Sequence, residues 1–154
     1  MKSKKALYAG SFDPFTNGHL SIVEKSSELF DEVIVGIAAN SNKRRITSDV
    51  YYMKDAIVDQ LKRYDNVSVV VIDGLVADYC KKKDILYLIR GLRNTSDYLY
   101  EENIAKINSE INSDLQTIYF RADNDVISSS MVRELREYGK DISKFVPEEI
   151  YKIL

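Results

Sequence analysis

Five short apolar runs recur along the chain, separated by longer stretches of helical period. They are Ala6-Leu7-Tyr8-Ala9, ended by Gly10; Val33-Ile34-Val35-Gly36-Ile37-Ala38; Val67-Ser68-Val69-Val70-Val71-Ile72; Ile85-Leu86-Tyr87-Leu88-Ile89; and Thr117-Ile118-Tyr119-Phe120. Runs this continuous, the third rich in valine, read as strands covered on both faces. Between them, Leu20, Ile22, Val23, Leu29 and Phe30 make an apolar face after His19. Tyr100, Ile104, Ile107 and Ile111 keep the three- and four-residue spacing of one helix face, and Met131, Val132, Leu135 and Tyr138 do the same. No linker or repeat divides the chain, so the pattern predicts a single α/β domain over residues 1–154: a five-stranded parallel sheet with helices on both faces. Ligands of such sheets bind beyond the carboxyl ends of the strands. Attention therefore falls on Gly10–His19, Ala39–Arg45, Arg90–Asp97 and Asp123–Ser130.

Composition narrows the chemistry. The chain has 154 residues, 45% hydrophobic and 30% charged, with 22 basic against 24 acidic side chains for a net charge of −2. That balance argues against a nucleic-acid binder working through bulk positive charge. Cys80 and His19 are the sole cysteine and histidine, which excludes an intrachain disulfide, a thiolate metal cluster and a multi-histidine zinc site. Apolar runs never approach the roughly 18 residues of a membrane span. The stretch after Lys2, Lys4 and Lys5 is broken by Gly10, Ser11 and Asp13, too early for a signal peptide. A reduced cytoplasm is the expected compartment, with no membrane or nucleic-acid partner.

The first candidate loop runs Gly10-Ser11-Phe12-Asp13-Pro14-Phe15-Thr16-Asn17-Gly18-His19, from a strand into a helix. A helix start offers free N–H groups and a positive dipole end, both suited to phosphate. Neither G-x-G-x-x-G nor G-x-x-x-x-G-K is present, so phosphate would be held another way. His19 is placed to reach a phosphoryl oxygen; equally, it could do no more than cap the helix. Arg90 and Arg93 stand at a strand end, where guanidinium groups fork onto phosphate or pair with Asp97 or Glu101. Ser128, Ser129 and Ser130 precede a helical pattern; any of them could be an N-cap, and together they suit triphosphate.

These segments together resemble one family. Gly10-Ser11-Phe12-Asp13-Pro14 with Thr16-Asn17-Gly18-His19 is similar to the first signature of the T/H-x-G-H nucleotidylyltransferases, and Ile127-Ser128-Ser129-Ser130 to the second. Asn42-Lys43-Arg44 after the second strand, Ile89-Arg90-Gly91-Leu92-Arg93 after the fourth, and Asp97-Tyr98 with Tyr100-Glu101 resemble the bacterial phosphopantetheine adenylyltransferases, from about Leu7 to Pro147. The resemblance implies a Rossmann-like nucleotidylyltransferase fold. It implies reversible adenylyl transfer from ATP to 4′-phosphopantetheine, giving dephospho-coenzyme A and pyrophosphate without a covalent enzyme intermediate.

The resemblance also implies roles. Ser11, His19, Lys43 and Arg93 would be catalytic, with His19 stabilising charge on the α-phosphoryl group as a neutral donor or a cation. Ser11, Lys43, Val76 and Arg90 would bind the acceptor. Ser11, Phe12, His19, Arg90, Gly91, Leu92, Arg93, Glu101 and Asn124-Asp125-Val126-Ile127-Ser128-Ser129-Ser130 would bind ATP. Mg²⁺ is expected on the triphosphate, held mostly by ATP oxygens and water, with no dedicated protein cage. A homohexamer and feedback by coenzyme A are implied as well. The chain departs from the family pattern in Ser11 for threonine, in the 42–46 run, and in a short 120–126 segment carrying Asp123 and Asp125. Other readings are a glycerol-phosphate cytidylyltransferase, whose usual R-T-E-G-I-S-T-T ending is missing here; a nicotinate or nicotinamide mononucleotide adenylyltransferase, which usually lacks the Arg90–Arg93 block; and a nucleotide-sensing module without catalysis.

Overall fold

A computed structural model describes residues 2–39, 44–123 and 127–154. Five strands, β1 (Lys5–Gly10), β2 (Glu32–Ala38), β3 (Val67–Ile72), β4 (Tyr87–Leu92) and β5 (Gln116–Arg121), form one all-parallel sheet in the order β3-β2-β1-β4-β5. The helices are α1 (Asn17–Leu29), α2 (Val50–Gln60), α3 (Val76–Lys82), α4 (Thr95–Ile111), α5 (Ser129–Glu137) and α6 (Glu148–Tyr151). This is the parallel α/β sheet the apolar runs predict, in the Rossmann-like form the family resemblance implies.

The pleat explains why the runs look continuous. Ala6, Tyr8, Val35, Ile37 and Ile89 bury into one layer with Ile22 and Val23 of α1, Met53 and Ile57 of α2, Val132 and Ile150. Leu7, Ile34, Ile72 and Leu88 point the other way, against Ala77 and Cys80 of α3 and Leu115. Both sets are apolar because both faces are covered. The fourth run differs in detail. Ile85 is buried but precedes its strand, its N–H bonding to the Cys80 carbonyl at 2.8 Å; β4 instead continues through Arg90, Gly91 and Leu92.

Caps set the helix starts that face the strand ends. Thr16 opens α1, Asp49 accepts from the Tyr51 N–H at 2.9 Å to open α2, Asn94 accepts from the Asp97 N–H at 2.9 Å to open α4, and Ser128 accepts from the Met131 N–H at 3.2 Å to open α5. The periodic face read on α4 is another matter. Its one buried residue is Glu101, while Leu99, Tyr100 and Ile107 are 61–66% exposed.

Gly36 tests how tightly the two layers are closed. A Cβ there would lie 2.5 Å from Ile72 Cδ1 and 2.9 Å from Leu7 Cδ1, both on fully buried side chains. Gly36→Ala is expected to destabilise the fold by about 1–3 kcal/mol through overpacking. A lowered midpoint in denaturant with an unchanged slope would show it.

Candidate active site

The sheet opens at its centre. β1 and β2 stay in register over six residue pairs, but β1 and β4 pair through three, Ala6–Tyr87, Leu7–Leu88 and Tyr8–Ile89. Beyond Tyr8 the two strands part. The Ala9 carbonyl, left without a strand partner on that side, accepts a hydrogen bond from Arg90 Nη1 at 2.8 Å. Glu101 of α4 grips the same guanidinium in a fork, Nε to Oε2 at 2.7 Å and Nη2 to Oε1 at 2.8 Å. A cavity of about 330 Å³ lies in the gap, walled by the first loop, the end of β4, α4 and the start of α5.

His19 sits at the third position of α1, and its ring makes a capping box with Thr16. The Thr16 N–H donates to Nδ1 at 2.9 Å, while the His19 N–H donates to Thr16 Oγ1 at 3.3 Å. An Nδ1 that accepts an N–H carries a lone pair, so the neutral ring holds its proton on Nε2. Burial, then the charges of Arg93 and Arg90, lower its pKa from 6.5 to about 3. Capping and ligand contact are thus compatible: one nitrogen ties down the helix start, and the other is a fixed neutral donor.

The two arginines differ. Burial works against the Arg90 charge, but the Glu101 carboxylate outweighs it and the net shift is upward. Three of its five N–H groups are committed to Glu101 and Ala9, leaving two for a ligand. Among the described residues Arg93 is held by Asp97, which accepts from Nε at 3.1 Å and from the Arg93 backbone N–H at 3.0 Å. Its terminal nitrogens make no hydrogen bond among the described residues.

Ser128 is the cap of α5, Ser129 Oγ donates to the Pro14 carbonyl at 2.8 Å, and Ser130 Oγ accepts from Arg133 Nη2 at 3.2 Å. The serine run therefore also docks α5 onto the first loop. Arg133 Nη1 donates to the Asp13 carbonyl, and the buried Asp13 carboxylate accepts from the Ile46 N–H at 2.8 Å. Arg45 Nη2 holds the Ser11 carbonyl at 2.8 Å. Phe12 adopts φ 45°, unusual for a side chain of its size, and its ring passes 3.1 Å from where a Cβ of residue 10 would lie, so a side chain there would crowd the ring.

The cleft thus gathers Ser11, Phe12, His19, Arg90, Gly91, Arg93, Glu101, Ile127, Ser128, Ser129 and Ser130. Leu92 and Val76 do not line it; Val76 starts α3 and packs on the Ala77 and Cys80 layer. Lys43, Asn124, Asp125 and Val126 lie outside the described residues. Sequence reasoning passed over Tyr8, Thr16 and Arg133, which also line the cavity. The T-x-x-H spacing was a signal for Thr16, and a basic residue one helical turn after Ser130 was a signal for Arg133. Nothing distinguished Tyr8 from an ordinary strand residue.

A parallel sheet split over a helix-start imidazole, arginines and hydroxyls defines a protein of the nucleotide-transferring α/β class. The cytidylyltransferase-like family model matches residues 7–135. The chain is 44% identical over 153 residues to a phosphopantetheine adenylyltransferase of Streptococcus pneumoniae, covering 97% of this chain and 94% of that one. It is 41% identical over 150 residues to that of Cytophaga hutchinsonii (96% and 99%) and 39% over 153 residues to that of Lachnoclostridium phytofermentans (98% and 93%). A crystal structure from Vibrio parahaemolyticus, described as a candidate nicotinate-nucleotide adenylyltransferase, superposes with a TM-score of 0.73 at 18% identity, covering 99% of this chain and 92% of that one, and shares the fold. The chain belongs to the phosphopantetheine adenylyltransferase family.

The buried neutral His19 has a consequence for stability. Its folded pKa of about 3 lies below the ordinary 6.5, so as pH falls the unfolded chain takes up the proton first. The stabilisation is complete above about pH 6.5 and drains away toward pH 3. Melting temperature is expected to fall between pH 6.5 and 4.5, and to fall less in His19→Asn, which cannot titrate there. Equal falls in both proteins would contradict this assignment.

Proposed function

We propose that the chain transfers the adenylyl group of ATP to 4′-phosphopantetheine, giving dephospho-coenzyme A and pyrophosphate. Identity of 36–44% over nearly the whole chain with phosphopantetheine adenylyltransferases carries this reading. The cleft supports it, because the reaction brings two anions together and the described walls supply donors and cations.

An acceptor phosphate oxygen attacks the α-phosphorus of ATP, a new P–O bond forms, the α–β bridge breaks, and pyrophosphate leaves with the bridging oxygen. A phosphate monoester has its second pKa near 6, so at neutral pH the nucleophile is already an anion and needs no general base. Catalysis is then positioning and electrostatic stabilisation. In this reading His19 Nε2–H donates to the α-phosphoryl oxygen as negative charge grows there. Arg93, with its terminal nitrogens toward the cavity, holds the triphosphate with Ser129 and Ser130, and Arg133 adds a cation at the same end. The two remaining N–H groups of Arg90, with Ser11 and Lys43, hold the acceptor phosphate. Glu101 acts mainly by orienting Arg90, and any contact it makes to the nucleoside is additional.

Among the described residues no group of three or more His, Cys, Asp or Glu side chains could hold a metal ion. The cleft carboxylates Asp97 and Glu101 are engaged by arginines. Mg²⁺ would therefore arrive on ATP with phosphate and water oxygens as ligands, leaving charge neutralisation on the protein side to the arginines. No described helix is long and apolar enough to cross a membrane, and a cytoplasmic setting is part of this reading. So are a homohexamer and coenzyme A as a feedback ligand sharing the acceptor's arm, both of which the family resemblance implies.

The purified protein is expected to release pyrophosphate from ATP, Mg²⁺ and phosphopantetheine, and not from CTP with glycerol phosphate; the reverse preference would overturn the substrate assignment. His19→Ala should lower turnover by about 10²–10³ or more, the usual cost of losing a transition-state donor. Circular dichroism should show the fold kept, and wild-type turnover would refute the role given to His19.

A further inference from the structure

Tyr8 is the last β1 residue paired with β4, directly below the point where the strands separate. Its ring belongs to an aromatic cluster, edge-on to Phe12 at 5.1 Å and to His19 at 6.3 Å between centroids. The side chain is 3% exposed, yet it lines the cleft. Its hydroxyl makes no hydrogen bond to a described residue. Across from it, the cleft is walled by Arg90, Gly91, Arg93 and Glu101.

For packing alone, phenylalanine would serve as well, as it does in Phe12 and Phe15 beside it. A tyrosine presents an apolar ring and a polar tip, and the tip is normally placed where a polar partner can reach it. Here the open direction is the cavity that also receives His19, Arg90 and Arg93. Burial pushes the Tyr8 pKa well up, more than Arg90 and Arg93 draw it down. The group stays protonated across the working pH range. Toward an anion, a protonated hydroxyl acts as a donor.

We propose that the Tyr8 hydroxyl is a ligand-contacting group that donates a hydrogen bond to a phosphoryl oxygen bound in the cleft, beside the one taken by His19 Nε2–H. Three oxygens offer this chemistry: those of the nucleotide phosphates, of the transferring α-phosphoryl group and of the acceptor phosphate. This deepens the adenylyl-transfer reading and rests on it for the identity of the ligands.

Tyr8→Phe removes the hydroxyl and leaves the ring. Its melting temperature is expected to match or exceed that of the wild type, because no protein partner is lost, while kcat/KM falls about 10-fold or more. A raised KM for ATP assigns the contact to the nucleotide phosphates, a raised KM for phosphopantetheine to the acceptor, and a lowered kcat at constant KM to the transferring group. Unchanged kcat and both KM values overturn the proposal. So does a melting temperature lowered by several degrees, which would make the hydroxyl a packing group. Should the wild-type protein give no pyrophosphate, the functional reading fails separately. Titrating ATP and phosphopantetheine against both proteins then decides Tyr8: weaker binding of either ligand to the variant upholds the contact, and unchanged binding of both overturns it.

Discussion

A single guanidinium bridges the place where the sheet comes apart. Two parallel strands that diverge leave carbonyl groups without partners, and a buried unpaired carbonyl is costly. Arg90 answers the Ala9 carbonyl from β4, and Glu101 answers Arg90 from α4. The Ala9 carbonyl at the split between β1 and β4 is thereby satisfied. The cavity, the approach of α4 and the direction of the remaining Arg90 donors all follow from that one junction. An ion pair of this kind contributes little net stability, because burial offsets much of the attraction. What it supplies is geometry.

The same junction explains the electrostatics. Burial, then the two neighbouring arginines, make a further positive charge there unfavourable, so His19 stays neutral. Thr16 then fixes which nitrogen carries the proton. The result is a set of donors oriented before any ligand arrives: Nε2–H of His19, the terminal nitrogens of Arg93, and the N–H groups at the starts of α1 and α5. Preorganised donors need not be reoriented as charge develops on a phosphoryl group, which is why they act more strongly than water would. The carboxylates Glu101 and Asp97 offset part of the arginine charge, since each is paired with its own guanidinium, so the cleft acts through oriented donors more than through bulk positive charge.

Much of this was legible in the chain itself. Strands buried on both faces need apolar residues at successive positions, as in β2 over Val33–Ala38; the run at Val67–Ile72 coincides with β3, but β3 is an edge strand in which only Ile72 is fully buried. The loops at the strand ends were readable because glycine, proline and the lone histidine cluster there. Where the reading slipped, a tertiary contact decided the matter. The fourth run begins at Ile85, but Ile85 packs beneath α3 before the strand starts, and β4 continues through Arg90 and Gly91, which no apolar count would include. Gly91 pairs with Phe120 in the strand, and a side chain there would collide with Ile22 Cδ1, 2.4 Å from where its Cβ would be. Such a contact joins α1 to β4 and leaves no trace in local spacing. Of the cleft residues, those in family-like motifs were found, Arg133 left a trace in its spacing from Ser130, and Tyr8 required coordinates, because its significance lies in what it faces.

Helix α4 shows how closely the cleft and the fold are bound together. Amphipathic helices usually hold their place by burying an apolar stripe. The α4 helix buries Glu101, and its attachments are largely polar: Asn94 and Asp97 at its start, Glu101 on Arg90, Glu102 near the Tyr119 hydroxyl at 3.4 Å, and Asn112 just past its end on the Ala77 carbonyl at 3.3 Å. Hydrogen bonds and ion pairs are directional, so they fix the rotation of the helix even where apolar contact would let it slide. They also make one residue answer to two demands. Glu101 orients the Arg90 donors and anchors the helix that carries it, so changing that carboxylate alters the shape of the cleft and the seating of α4 together. The electrostatics of the site and the attachment of this helix are therefore one interaction viewed from two sides.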